Sequence, residues 1–112
     1  MEGMEILSWG GEQYKPLMVY GAWRVAMLNH GMKFVKATYL ERHLKTDEVF
    51  VLLEGAATLI IGEEMTRVPM EKCKVYNVKA GQWHQIETVP GTRCLIVEND
   101  DTGKDNSEYR EL

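Results

Sequence analysis

The stretch His43-Leu44-Lys45-Thr46-Asp47-Glu48-Val49-Phe50-Val51-Leu52-Leu53-Glu54-Gly55, followed by Ala57-Thr58-Leu59-Ile60-Ile61, decides the fold. Val49 to Leu53 is an unbroken apolar run that stops at Glu54-Gly55. Ala57 to Ile61 repeats the pattern and stops near Gly62-Glu63. Runs this short, bounded by glycine, read as strands. Both are apolar on both faces, whereas a strand of a small barrel meets the core with one face only. The outer face therefore needs a cover. The simplest cover is a second copy of the chain, so a homodimer is expected.

Outward from this stretch the same grammar continues. Trp23 to Leu28 reads as a strand, Asn29-His30-Gly31 as a tight turn, and Met32 to His43 as the returning strand. Downstream, Thr66 to Pro69, Lys74 to Val78, Trp83 to Val89 and Arg93 to Glu98 read as strands. Turns fall at Ala80-Gly81 and at Pro90-Gly91, the latter read as a hairpin. Residues 1–15 read as an irregular arm, 16–98 as the barrel, and 99–112 as a loosely held polar tail with a short helix at its end. Together they form one domain over 1–112, all-β, a sandwich or barrel of short strands. No helical period and no internal repeat competes with this reading.

Composition narrows the function. Of the 112 residues, 45% are hydrophobic and 27% charged, which is a globular composition with enough material for a core. The net charge of −4 and the scattering of basic residues among acids argue against a nucleic-acid surface. The opening residues lack the basic and apolar regions of a signal peptide, and the longest apolar run, about Ala56 to Ile61, is too short to cross a bilayer. No membrane partner is expected, and the location expected is cytoplasmic. Cys73 and Cys94 stand apart without a CxxC pair and are expected to be reduced thiols.

Four residues stand out as chemistry. Strand alternation puts Tyr39, Glu41 and His43 on one face, the less charged one. Glu48 opens the next strand in phase with Phe50 and Leu52, close to His43 if the two segments pair. His84 follows the Gly81 turn at the start of a later strand. Two imidazoles and one or two carboxylates suit iron, manganese, zinc or nickel.

These residues carry a resemblance. His43, Glu48 and Gly55 keep the spacing of the first motif of the cupin superfamily, in which His-x-His is followed by a glutamate and then a glycine. Gly81 and His84 keep that of the second motif. The departures are Glu41 in place of the first histidine, Val35 and Cys73 in place of leading glycines, Lys79 in place of proline and Thr88 in place of asparagine. The chain therefore resembles a small single-domain cupin, a jelly-roll barrel closed by Greek-key connections. The resemblance implies that His43, Glu48 and His84 are metal ligands, with Glu41 in the fourth position. Glu41 is either that ligand or a salt-bridge partner of Arg24 or Arg42.

The function implied is binding of a divalent metal and a small polar metabolite, a sugar or organic acid. Isomerisation and oxygenation are both open, and no organic cofactor is expected. The alternative is a metal-free cup that binds or senses a small ligand without catalysis, and the loss of the first histidine favours it. Tyr39, Phe50 and Trp83 are the candidate pocket-lining residues. His30 reads as a solvated turn residue and Arg24 as an outward surface residue.

Overall fold

The computed structural model describes residues 2–112. Two five-stranded antiparallel sheets face each other. The first runs in the order β1 (Gln13–Tyr20), β2 (Trp23–Asn29), β9 (Arg93–Asn99), β4 (Glu48–Glu54), β7 (Tyr76–Val78). The second runs β10 (Ser107–Glu111), β3 (Tyr39–His43), β8 (His84–Thr88), β5 (Ala57–Ile61), β6 (Thr66–Pro69). Sequence neighbours often lie in opposite sheets, which is the jelly-roll arrangement.

The apolar side chains between the layers follow period two. Ala26 and Leu28 on β2, Phe50 and Leu52 on β4, and Cys94 and Ile96 on β9 turn inward from one sheet. Ala57 and Leu59 on β5 and Ile86 on β8 meet them from the other. The outward side chains differ between the layers. Val25, Val97 and Val49 lie in register across β2, β9 and β4, as do Met27, Leu95 and Val51. The second sheet turns Arg42, Glu87, Arg67 and Glu108 outward, joined as the ion pairs Arg42–Glu108 and Arg67–Glu87.

Two glycines set loops of the barrel, and one of them, Gly81, lies against a site residue. Gly55 has φ +81, and a Cβ there would lie 2.6 Å from the Thr92 Cα, so no side chain fits. The Thr92 hydroxyl donates to the Ala56 carbonyl at 2.7 Å and accepts from the Ala56 amide at 3.1 Å, locking the β4–β5 turn onto the start of β9. Gly81, at φ +83, donates its amide to the His43 carbonyl at 2.7 Å, which draws the β7–β8 turn against the end of β3.

Several elements differ from the sequence reading. The first strand starts at Gln13, inside the expected arm, and pairs with β2 along its length. Met32 to His43 is not one strand returning on β2. Met32–Phe34 is a single 3-10 turn, and the chain then crosses to the second sheet as β3. Pro90-Gly91 joins no hairpin, because β8 and β9 belong to different sheets. The expected loose tail is a 3-10 turn followed by β10, which pairs with β3 from Ser107↔His43 to Glu111↔Tyr39. Both cysteines are free thiols, Cys73 exposed and Cys94 buried. Among the described residues no helix is long and apolar enough to cross a membrane.

Candidate metal centre

The sheets divide the site between them. Glu41 and His43 point inward from β3, and His84 points inward from β8, where it is the register partner of Glu41. Glu48 comes from the opposite layer, inward with Phe50 as alternation requires. Asp47 anchors the start of that strand: its carboxylate accepts from the Ala80 amide at 2.9 Å and from the Asn77 side chain at 3.0 Å. The turn before β8 and the start of β4 are thereby held together, so residues far apart in the chain converge.

Glu48 Oε1 lies 3.0 Å from Nε2 of His43 and 3.0 Å from Nε2 of His84. Glu41 Oε1 lies 3.7 Å from the first and 3.9 Å from the second. One donor atom from each of the four residues falls within 4.8 Å of every other. The outer nitrogens are also held. His84 Nδ1 sits 3.0 Å from the Gln82 carbonyl, which can only accept, so Nδ1 carries a proton and Nε2 is the nitrogen aimed at the centre. His43 Nδ1 lies 2.8 Å from the Ser107 hydroxyl. Outer partners of this kind orient imidazoles toward a metal.

The electrostatics follow from burial and these contacts. Burial works against charge on His43 and His84, but the Glu48 bond and charge outweigh it, and both imidazoles stay above their ordinary range. Burial opposes ionisation of Glu48, yet the two histidine bonds hold it well below the usual carboxylate range. Glu41 rises, first through burial and then through Glu48, against the pull of His84.

Behind the cluster lies a polar layer that sequence reading misses. Glu98, on β9, is buried, and burial followed by the charge of Glu48 pushes it up to about 8. Arg24 faces inward, not outward. It donates to Glu98 at 3.1 Å, to the Tyr14 hydroxyl at 2.9 Å, and to the carbonyls of Asp100 at 2.9 Å and Thr102 at 3.3 Å. Its partners therefore do not include Glu41, and Arg42 pairs with Glu108 instead. Glu41 is thus left to the cluster. The missed signal was present: Arg24 keeps phase with Ala26 and Leu28, and Glu98 with Cys94 and Ile96.

The four donors sit at the bottom of a cavity of about 240 Å³. Tyr39 and Phe50 line it, joined by Tyr14, Lys33, Phe34, Tyr109 and Glu98. Trp83 does not line it. The residue before His84 faces the other way, and its ring packs under the Arg42 guanidinium at 4.6 Å. His30 is half-buried, its Nδ1 bonded to the Thr88 hydroxyl at 2.8 Å.

Solved structures share this architecture. Pac13 from Streptomyces, described as a nucleoside dehydratase and solved with uridine, superposes with a TM-score of 0.70 at 6% identity, over 93% of this chain and 83% of that one. A cupin-2 domain protein from Shewanella frigidimarina gives 0.62 at 15% identity, over 80% and 83%. This chain has the cupin jelly-roll fold. KdgF from Halomonas agrees, at 0.61 and 11% identity over 88% and 89%. No family model and no curated protein matches the sequence of this chain. At such identities the likeness concerns the barrel alone.

Proposed function

We propose that this cupin binds a divalent transition metal through His43, Glu48, His84 and Glu41 and presents it to a small polar metabolite in the cavity above. The observation that carries the reading is the convergence of four donor atoms within 4.8 Å. The donors fit such an ion. Two ligands about 2.1 Å from a metal lie about 3.0 Å apart at a right angle and about 3.4 Å apart at a tetrahedral one. The 3.0 Å separations of Glu48 from His43 and His84 match the right-angle value, and Glu41, at 3.7 and 3.9 Å, stands wider than the tetrahedral one. Two imidazoles and two carboxylates favour iron or manganese, with zinc and nickel also served. A bound ion would polarise a substrate oxygen or acidify a water. The chain's own residues orient the imidazoles and size the ligand. At about 30 Å³ per water the cavity holds about eight, the room of a small sugar or organic acid.

A second reading has its own support. Glu48 bonds both imidazoles directly, and no buried side-chain polar atom lacks a partner among the described residues. The cluster is therefore self-sufficient as a polar floor, as a metal-free binding cup requires. Elemental analysis of protein purified without added metal, followed by calorimetric titration with manganese, ferrous iron, zinc and nickel, separates the two. About one ion per chain, lost in His84→Ala, supports the first. No metal as isolated and no uptake of any of the four leaves the second.

The apolar outer face of the first sheet supports self-association into a homodimer. Its valine and methionine rows contrast with the ion-paired outer face of the other sheet. In this reading the protein is cytoplasmic and its ligand is a small molecule, not nucleic acid or membrane.

A further inference from the structure

The cavity contains six groups that carry or exchange charge near its floor, and their partners are accounted for. Glu41, Glu48, His43 and His84 face one another. Glu98 belongs to Arg24, whose guanidinium is spent on Glu98, Tyr14 and two carbonyls of the 100–102 segment. Lys33 is different. It lines the same cavity from the 3-10 turn Met32–Phe34, and among the described residues it makes no ion pair. Its ammonium lies 5.6 Å from the centre of the Phe34 ring and 5.9 Å from that of Tyr39. Contacts of that kind hold the cation in place without neutralising it. The Tyr39 ring in turn meets Tyr109, centroids 6.1 Å apart, so two phenols flank the same mouth.

We infer that the ligand of this cavity is a small anion, entering with its carboxylate or other acidic group on Lys33 between the Tyr39 and Tyr109 rings while its polar end reaches the four-residue cluster. The inference deepens the proposed function and rests on its placing the ligand in this cavity. The charge balance supports it. Of the two cations that line the cavity, Arg24 is engaged by Glu98, Tyr14 and two carbonyls, whereas Lys33, which faces Glu41 without pairing with it, is left without an ion-pair partner among the described residues. Its ammonium belongs to an exposed residue that also lines the cavity, with the Phe34 and Tyr39 rings beside it. A neutral sugar gives the ammonium nothing to bind beyond a hydroxyl, whereas an acid forms a charge-assisted bond. The mouth is partly open to water, so the discrimination expected is moderate.

The test compares acids with their neutral amides of the same shape. Malate, lactate and citrate are titrated calorimetrically into the protein as purified and after manganese loading, beside malamide, lactamide and citramide. At least one acid is expected to bind about tenfold more tightly than its amide. Lys33→Gln is expected to weaken that acid about three- to tenfold, leave the amide unchanged and keep the circular dichroism spectrum, and Lys33→Arg to restore most of the loss. The inference is overturned if none of the acids binds, if acids and amides bind alike, or if Lys33→Gln leaves acid binding intact. Metal content, measured in the same samples, judges the metal reading separately: a metal-free protein that still prefers acids through Lys33 keeps the anion site and loses only the ion.

Discussion

Replacing Glu48 by glutamine tests the centre without changing its shape. In the metal-free protein the Glu48 carboxylate accepts from two imidazoles, each at 3.0 Å, in a buried setting. A hydrogen bond to a charged group contributes about 1.5–3 kcal/mol, so two contribute about 3–6 kcal/mol. Removing the charge also relieves repulsion with Glu41, which returns about 1–2 kcal/mol. The net loss expected is about 2–4 kcal/mol, a large share of the stability of a domain this size. The pH dependence fixes the cause. Both histidines have raised pKa values in the folded state, so their contribution is full below the unfolded value of about 6.5 and is lost as pH rises through the folded values. Glu98 and Glu41 are also raised, so the folded wild-type protein binds more protons than the unfolded chain from weakly acid to mildly alkaline pH, and its stability falls over that range. The assay is urea denaturation with chelator present, at pH 6 and pH 9, for both proteins. The variant should lose about 2–4 kcal/mol at pH 6 and about 1 kcal/mol at pH 9. An equal loss at both, or none at pH 6, refutes the charged network.

Other expectations follow from single contacts. Gly55→Ala should cost more than about 3 kcal/mol in chemical denaturation, because the left-handed backbone penalises any side chain and the added Cβ meets the Thr92 backbone at 2.6 Å. Ser107→Ala should leave the fold intact and weaken manganese binding about tenfold, read by calorimetry, because His43 loses the partner that holds its ring; unchanged affinity means the hydroxyl orients nothing. Val97→Glu, at the middle of the apolar outer rows, should shift the protein from dimer to monomer in light scattering after size exclusion; a wild-type protein already monomeric removes the dimer.

How much of this was legible in the sequence depends on how local each signal is. β4, β5 and β6 were read nearly to the residue, because each is an apolar or alternating run stopped by glycine or proline. His43, Glu48 and His84 were found by spacing, and the structure brings them together with Glu41. Gly55 has a reason that spacing alone does not state, namely the Thr92 backbone beside it. β1 was hidden because Lys15 and Pro16 interrupt its pattern, and an edge strand tolerates both. β10 was hidden because Ser-Glu-Tyr-Arg-Glu has no apolar face, and its strand state comes from pairing with β3. Arg24 and Glu98 look like surface charges in isolation. Only their common inward phase, and the fact that each satisfies the other, makes their burial affordable.

The division of the centre between two layers has a mechanical consequence. An ion gripped by Glu48 on one side and by His43 and His84 on the other would act as a rivet through the sandwich, so its grip would be felt as slowed amide exchange in both layers at once, out to β9 and β5, rather than as a local tightening of one loop.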